Sequence, residues 1–267
     1  MSSNIIFLKL GGSLITNKDV AYTAREEVIN RLANEIKQAL EADSSIKILL
    51  GHGSGSFGHF EANKYGTIKG VKSTKDWIGF YKVSRAASKL HHLVINIINK
   101  TGLKCFSFAP LAMVTSEDRK IIEWNINPIS VALDKGFIPV IYGDVIFDNK
   151  LGGTIFSTED LFSHLAGIFH PKRILLAGIE DGIWKNFPEK EHLIPSITST
   201  NYQYYVKQFK KSSSIDVTGG MAAKISVVME IIKNNPAVEV QIFSGLIPSS
   251  LFHSLIGERK GTQLIFN

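Results

Sequence analysis

The sequence predicts an α/β fold in which helices cover both faces of a mainly parallel sheet. The first observation is a series of short apolar runs, which are typical of buried strands. They lie at residues 5–10, 46–50, 104–109, 138–142, 173–177, 238–243 and 262–266. The second observation is that segments with helical spacing of apolar residues separate these runs, at 23–41, 75–99, 128–135, 157–169, 201–209 and 216–232. Alternation of strand and helix throughout the chain favours parallel pairing.

Local signals place the boundaries of several elements. Thr23 and Glu26 have the spacing of a capping box for the first long helix. Ser157 or Thr158 is expected to cap the helix at 157–169. A hairpin is expected to turn at residues 148–150. The polar segment 186–214, with its helix near 201–209, is predicted to be a mobile cover.

Length and composition bound the kind of protein. A chain of 267 residues that is 44% hydrophobic can bury a large core, and we expect one domain spanning residues 1–267. No apolar run approaches the ~20 residues of a membrane span, and the start lacks a signal-peptide pattern, so we expect neither export nor membrane insertion. The single cysteine, Cys105, excludes an internal disulfide and fits a reducing, cytoplasmic location.

The formal net charge of +6 does not by itself indicate a nucleic-acid partner. The lysines are spread along the chain, without a basic tail or an aromatic RNA-binding signature. Small anionic substrates explain the charge as well, and we expect no nucleic-acid partner.

Three glycine-rich turns stand out because each is associated with a lysine or histidine. They are Gly11-Gly12-Ser13 after Lys9, the nine-residue stretch 51–59 with its four glycines and His59, and Gly219-Gly220 before Lys224. Glycines at such turns let backbone N–H groups converge on an oxyanion. The first two turns follow predicted strands, so they are expected at the carboxyl edge of the sheet, where α/β proteins bind ligands.

Taken together, these turns predict a site for phosphoryl transfer. Lys9, Lys18, His59 and Lys224 would surround one crevice with positive charge, which the transferring group requires. The Walker pattern and the protein-kinase signatures are absent. Gly53, Gly55 and Gly58 formally match a dinucleotide fingerprint, but that fingerprint belongs on the first strand-to-helix turn and here falls on the second.

Five motifs in this order resemble the amino acid kinase superfamily, and within it most closely the isopentenyl phosphate kinases. The motifs are Lys9-Leu-Gly-Gly-Ser13, Lys18, Gly51-His-Gly-Ser-Gly-Ser-Phe-Gly-His59, Tyr142-Gly-Asp144 and Asp216-Val-Thr-Gly-Gly-Met-Ala-Ala-Lys224. The resemblance covers essentially the whole chain. It implies an αβα sandwich of the amino acid kinase type, a homodimer, and transfer of phosphate from Mg·ATP to isopentenyl phosphate in a cytosolic route to isoprenoids.

The resemblance also implies roles for individual residues. Lys9 and Lys18 would contact the phosphates in transfer, His59 would bind the acceptor phosphate, and Lys224 would grip the ATP phosphates. The acceptor site would lie in the half formed by residues 1–170, and the nucleotide site in residues 171–267. Residues expected to bind ATP are Lys9, Gly11, Gly12, Ser13, Gly55, Asp181, Trp184, Gly219, Gly220 and Lys224. Residues expected to bind the acceptor are Gly53, Ser54, His59, Phe80, Val83 and Thr158, with Ile146 and Ile155 also facing its chain.

Asp144 is interpreted as an organiser that holds the lysines, with a simple turn cap as the alternative. Protein ligands for a metal are not expected, and Mg²⁺ would be held largely by ATP oxygens and water. The sequence departs from the resemblance at Ser54 and at Ser157-Thr158-Glu159, where glycine and Ser-Gly-Asp are usual. Two other functions remain open: a kinase of the same branch acting on fosfomycin or another small phosphonate or phosphate, and a non-catalytic oxyanion-binding protein on this fold.

Overall fold

The computed structural model of the chain describes residues 4–186, 188–212 and 220–267. Its strands are β1 (Ile5–Leu10), β2 (Lys47–His52), β3 (Cys105–Ser107), β4 (Val114–Glu117), β5 (Lys120–Trp124), β6 (Ile138–Tyr142), β7 (Asp144–Asp148), β8 (Gly152–Phe156), β9 (Arg173–Gly178), β10 (Ile183–Trp184), β11 (Leu193–Ile194), β12 (Ser196–Thr198), β13 (Glu239–Ser244) and β14 (Thr262–Ile265). Its α-helices are α1 (Gly12–Ile15), α2 (Glu26–Ala42), α3 (Gly55–Tyr65), α4 (Thr74–Lys100), α5 (Pro110–Met113), α6 (Asn127–Asp134), α7 (Thr158–Phe169), α8 (Tyr202–Ser212), α9 (Gly220–Asn234) and α10 (Ser250–Leu255).

The main sheet has eight strands in the order β12-β14-β13-β9-β1-β2-β6-β3. The six strands from β13 to β3 pair in parallel, whereas β14 runs antiparallel to β13. β12 pairs in parallel with β14 and therefore also runs against the rest of the sheet. The prediction of a mainly parallel sheet is thus confirmed.

Alternate side chains of the central strand enter two different cores, because successive residues of a strand point to opposite faces. Ile5 and Phe7 belong to a cluster that includes buried residues of α6, α7 and α9. Ile6, Leu8 and Leu10 belong to a second cluster, which includes buried residues of α2, α4 and α10. The predicted helical cover on both faces is therefore confirmed, and the architecture is an αβα sandwich.

A second sheet of four strands, in the order β5-β4-β7-β8, adjoins the start of α4. Its hairpin β7–β8 turns at residues 149–151, close to the expected place. A small apolar cluster of Val71, Phe80, Val83 and Val145 lies between this sheet and α4.

Some local predictions are wrong or incomplete. The proposed capping box at Thr23 does not form, because α2 starts at Glu26 with Arg25 as its N-cap and no side-chain cap bond. A true capping box precedes α4 at Ser73 and Asp76. β4 and β5 were not predicted, and the segment 186–214 contains, in its described part, two strands and α8. Since β12 joins the main sheet, this part of the segment is not a plain loop.

In the described parts of the chain, no helix is both long and apolar enough to cross a membrane.

Candidate active site

The loops predicted to form the site leave the same edge of the main sheet. In the parallel register, Lys9 lies opposite Gly51 and Leu10 opposite both His52 and Ala177. His52 in turn lies opposite Tyr142. Because these strands end level with one another, the turns that follow them open onto one edge, as expected for a ligand site in such a sheet.

Two of the glycine turns touch each other directly. A Cβ atom added to Gly12 would lie 2.6 Å from the backbone nitrogen of Gly55, and one added to Gly53 would lie 2.8 Å from the nitrogen of Gly12. Both distances are shorter than any real Cβ contact, so glycine is required at both positions. Thr16 closes the junction, since its hydroxyl donates to the Gly12 carbonyl (2.7 Å) and accepts from the Ser56 N–H (2.9 Å).

The decisive electrostatic feature is a buried carboxylate, Glu159, in the first turn of α7. Lys9 Nζ donates a hydrogen bond to Glu159 Oε2. Burial alone would raise the pKa of Glu159, but the charges of Lys9 and Lys224 and the Lys9 hydrogen bond outweigh it and hold that pKa below its ordinary value. Lys9 and Lys224, 215 positions apart in the sequence, are therefore brought to one carboxylate.

Sequence reasoning did not single out Glu159, the carboxylate that pairs with Lys9. Asp144 is buried, its Oδ1 accepts from the Val145 N–H at 2.8 Å, and burial raises its pKa to about 7. Burial is the main cause of that shift, and hydrogen bonds with Val145, Tyr142 and Leu111 oppose it; the interpretation of Asp144 as the organiser of the lysines stays a prediction. The signal for Glu159 was its place beside the helix cap Ser157, where a first-turn carboxylate is expected to be held in position.

Lys18 and His59 occupy exposed positions on neighbouring elements. Lys18 lies on the turn between α1 and α2. His59 lies on α3, which starts at the Gly12–Gly55 junction, so its helix begins beside the loop that follows Lys9. The structure thus pairs Lys9 with Glu159, brings Lys224 near enough for its charge to act on the same carboxylate, and sets Lys18 and His59 on the adjacent loop and helix.

Ser54 and Thr158 stand where glycine is usual in the isopentenyl phosphate kinases, and each side chain is accommodated by contacts within the protein. Ser54 packs against Gly58, where an added Cβ would lie 2.6 Å from the Ser54 Cβ. Thr158 is 1% exposed, and its hydroxyl donates to the His52 carbonyl at 2.7 Å. Both side chains are thus in contact with the protein itself.

The apolar residues expected near the acceptor divide into two groups. Phe80 and Val83 lie in the small cluster beside the second sheet, with Ile155 packed against it. Ile146 instead lies in the main-sheet core. The expectation that Ile146 faces the acceptor chain together with Phe80 and Val83 is wrong, because its neighbour Val145 points to their cluster and successive strand residues face opposite ways.

On the nucleotide side, Asp181 is exposed in the turn after β9, and Trp184 lies in the short β10–β11 hairpin. The Trp184 indole N–H donates to Glu180 at 3.1 Å. Gly220 begins α9 with a positive φ of 57°, and Lys224 lies in the same helix, half-buried. Gly219 lies outside the described residues.

A buried histidine pair lies behind the turn that follows β2. His52 and His91 are 0% and 2% exposed, and their rings are joined by a 2.9 Å hydrogen bond. Burial lowers the pKa of His52 to about 4 and that of His91 to about 2, so both are neutral near pH 7. Both side chains therefore pack as neutral groups in the interior behind the turn.

Comparison with known proteins agrees with this geometry. The sequence profile of the Amino acid kinase family matches residues 4–244. The chain belongs to the amino acid kinase family.

Its relatives within the amino acid kinase family point to one branch. The chain is 32% identical to an isopentenyl phosphate kinase of Methanocaldococcus jannaschii, over 98% of this chain and 99% of that protein. It is 30% identical to an isopentenyl phosphate kinase of Methanothermobacter thermautotrophicus, over 97% and 98% of the two chains. A crystal structure of an isopentenyl phosphate kinase superposes with a TM-score of 0.82 at 28% identity, covering 97% of this chain and 99% of the other. This member of the amino acid kinase family is therefore a phosphotransferase.

Proposed function

We propose that this protein transfers the terminal phosphate of ATP to isopentenyl phosphate, giving ADP and isopentenyl diphosphate. The observation that carries the proposal is the meeting of Lys9 and Lys224 at Glu159. It occurs in a chain that is similar over nearly its whole length to isopentenyl phosphate kinases.

The arrangement suits phosphoryl transfer because that reaction is catalysed mainly by positioning and charge. An oxygen of the acceptor phosphate forms a new bond to the terminal phosphorus, and the bond from that phosphorus to the ADP oxygen breaks. Lys9 and Lys224 would neutralise charge on the transferring group. Glu159 keeps the two ammonium groups from repelling each other out of position, which is electrostatic preorganisation.

The acceptor needs a hydrogen-bond donor more than a general base. A phosphate monoester is already anionic near neutral pH, so no proton has to be removed before it attacks. In our proposal His59 and the backbone of the Gly53-Ser54 turn bind this phosphate, and Lys18 stabilises the transition state.

The apolar chain of the acceptor would lie against the cluster of Phe80 and Val83. Next to it stand two partly exposed aromatic residues, Trp77 and Phe147, whose rings lie 5.3 and 5.2 Å from that of Phe80. A wall of this kind favours an alkenyl chain over a small polar phosphonate, because apolar surface is removed from water on binding.

ATP would be held by Lys9, the turn of Gly11, Gly12 and Ser13, Gly55, and Lys224 with its helix start at Gly219-Gly220. Asp181 and Trp184 would lie at its nucleoside end. The two turns meet at Gly12 and Gly55, neither of which carries a side chain, so their backbone N–H groups can approach an anion closely. Mg²⁺ would be held largely by ATP oxygens and water, and it would offset phosphate charge.

We also propose a homodimer located in the cytosol. Support for the cytosolic location is the sequence's single cysteine. Support for the dimer is the edge strand β3, whose Phe106 is 49% exposed and packs against Phe137 with ring centroids 4.7 Å apart. An exposed aromatic residue on a sheet edge is suited to pairing with a second chain.

The test is an acceptor panel assayed with Mg·ATP and compared by kcat/KM. Isopentenyl phosphate, dimethylallyl phosphate, geranyl phosphate and fosfomycin serve as acceptors, with ADP release and the phosphorylated product both measured. We expect isopentenyl phosphate to give the highest value. Preference for fosfomycin, or ATP turnover without any phosphorylated product, would contradict the proposal.

His59→Ala is expected to lose most activity while its melting temperature stays unchanged. The exposed His92, on the outer side of α4, provides the matched control, and His92→Ala is expected to keep full activity. Full activity in His59→Ala would show that the assignment of His59 is wrong.

A further inference from the structure

The turn that carries Lys18 is a small hairpin with a defined base. Thr16 and Ala24 form an isolated antiparallel bridge, and the Asn17 N–H donates to the Thr23 carbonyl at 2.9 Å. Lys18 lies near the exposed tip, beyond that bridge. The base of the turn is fixed by backbone bonds, but these do not determine where the tip stands relative to α3.

One side chain, Tyr22, ties the second arm of this turn to α3. Its hydroxyl donates to Glu61 Oε1, and its ring lies edge-on to that of Phe57 at 5.5 Å. The ammonium of Lys89, on α4, lies over the same ring at 5.8 Å from its centre. Three contacts with two helices therefore converge on a residue four positions after Lys18.

The backbone of Tyr22 is held in an unfavourable conformation to make these contacts. Its φ is 57°, in the left-handed region that a non-glycine residue occupies at a cost of about 1 kcal/mol. Such a conformation persists only where the surrounding contacts hold it. Tyr22 is nevertheless 40% exposed, so burial of its ring is not the whole reason for the arrangement.

The helix end to which Tyr22 is attached is the one that carries the proposed acceptor site. Phe57 belongs to the Gly-Ser-Phe-Gly-His stretch that ends at His59. The base of the same turn reaches this stretch through Thr16, whose hydroxyl accepts from the Ser56 N–H. The Lys18 turn is thus attached to the His59 helix at two points, one at its base and one near its tip.

We propose that Tyr22 is a positioning residue, which holds the Lys18 turn against α3 so that the Lys18 ammonium meets the transferring phosphate. The proposal rests on the role given to Lys18 under the proposed function. Tyr22 itself touches no reacting atom and acts through Lys18. Its hydroxyl remains a donor at all working pH values, since burial and the bond to Glu61 raise the pKa of Tyr22 to about 12.

The test is a double-mutant cycle between Tyr22 and Lys18, read in kcat and in KM. Tyr22→Ala is expected to lower kcat by about tenfold or more, because a small displacement of a catalytic group is costly, with KM values within about twofold of wild type. In a Lys18→Ala background the same substitution is expected to change kcat by less than about twofold. Tyr22→Phe keeps the contact with Phe57 and loses the Glu61 bond, so an intermediate loss is expected.

Val20→Ala serves as the matched control within the same turn. Val20 is 51% exposed and belongs to none of the apolar clusters formed by the described residues, so full activity is expected. An equal loss from Tyr22→Ala in both backgrounds would overturn the proposal, because it would show a general structural effect. No loss in either background would overturn it as well.

A measurement independent of activity distinguishes the positioning role of Tyr22 from the proposed catalytic role of Lys18. Hydrogen–deuterium exchange of residues 17–23 is expected to be faster in Tyr22→Ala and unchanged in Val20→Ala. Unchanged exchange in Tyr22→Ala would overturn the positioning role even if the kinase assignment holds. Full kcat in Lys18→Ala would instead overturn the proposed role of Lys18, and with it this inference, whatever the exchange shows.

Discussion

At the scale of one residue, the carboxylate of Glu159 offsets the positive charge of nearby lysines. In the proposed function, Lys9 and Lys224 place two ammonium groups to meet phosphate oxygens, and these groups would repel each other before any ligand arrives. A carboxylate between them removes that repulsion, and burial keeps the carboxylate from being screened by water. The low pKa of Glu159 is the signature of this arrangement, since ionisation is favoured by both lysines.

Glu159→Gln is expected to lower kcat by roughly tenfold or more. The amide still accepts a hydrogen bond from Lys9, but it no longer offsets the charges of Lys9 and Lys224. Glu159→Asp restores the charge on a shorter side chain, so part of the activity is expected to return. The measurement is steady-state kcat at a temperature well below the melting temperature of each variant.

A matched control is the exposed ion pair between Glu117 and Lys150, whose charged atoms lie 3.8 Å apart. Such surface pairs contribute little, so Glu117→Gln is expected to keep both activity and stability. Wild-type kcat in Glu159→Gln would show that the carboxylate is dispensable for holding the lysines.

The histidine pair behind the site makes stability depend on pH in a defined direction. In the folded protein the pKa values of His52 and His91 are lowered by burial, whereas in the unfolded chain they return to about 6.5. Below pH 6.5 the unfolded chain therefore binds protons that the folded protein does not bind. The free energy of unfolding must fall as the pH is lowered from 6.5.

We expect each histidine to remove on the order of 2 kcal/mol of stability between pH 6.5 and pH 5. Urea unfolding at several pH values measures this slope. His91→Gln is expected to have a shallower slope than wild type, and the exposed control His92→Gln is expected to keep the wild-type slope. Equal slopes in wild type and His91→Gln would contradict the assignment of a neutral buried pair.

At the scale of elements, α3 shows how an unusual residue is accommodated at a site. The side chain of Ser54 occupies space that is left by the missing side chain of Gly58, one turn along the helix. Glycine inside a helix is ordinarily less favourable than alanine by about 1 kcal/mol. Gly58 is therefore explained by its contact with Ser54.

Gly58→Ala is expected to destabilise the protein despite the better helix propensity of alanine, because the added methyl would overlap the Ser54 Cβ. In a Ser54→Gly background the same substitution is expected to be neutral or stabilising. Melting temperatures of the four proteins in this cycle measure the coupling. Equal effects of Gly58→Ala in both backgrounds would show that the contact is not responsible.

The sequence predicts most elements of this fold because periodicity reports burial. The strands β1, β2, β6, β9 and β13 are buried at nearly every position and carry apolar residues on both faces, as expected for strands covered on both sides. The strands β4 and β5 escape prediction because each exposes residues to solvent and neither forms a continuous apolar run. The antiparallel direction of β14 also could not be predicted, because the sequence of a short strand does not indicate whether it pairs parallel or antiparallel to its neighbour.

The candidate site is predictable in part for a related reason. Glycine turns and their lysines are local patterns, and so the sequence alone singles out Lys9 and Lys224 as candidates. The partner that joins them is not local, because Glu159 lies 150 positions from Lys9 and 65 from Lys224. A glutamate in a first helical turn has an ordinary capping role, and only the folded structure shows that it faces two lysines.

At the scale of the whole molecule, the two halves proposed for acceptor and nucleotide share one sheet. The central strand β1 pairs on one side with β2 and on the other with β9, which follows the boundary near residue 170. One apolar cluster contains Phe7 and Leu49 from the first half and Ile174 and Val240 from the second. Without the second half, β1 would lose its pairing with β9, and the apolar residues of this cluster would be exposed to water.

We therefore expect the chain to unfold in a single cooperative transition, as one domain. Tryptophans provide a probe in each half: Trp184→Phe leaves Trp77 and Trp124 to report on the first half, and the double variant lacking those two leaves Trp184 to report on the second. For each of the two proteins, the urea midpoint is measured by tryptophan fluorescence and by far-UV circular dichroism. We expect the two midpoints of each protein to coincide, so that their ratio is one. Phe7→Leu removes the ring that packs on Phe162, and we expect it to lower the free energy of unfolding by about 1–2 kcal/mol. Both fluorescence midpoints are expected to fall together. Two separated transitions would show that the halves are independent domains. A Phe7→Leu effect that is seen by only one probe would show the same.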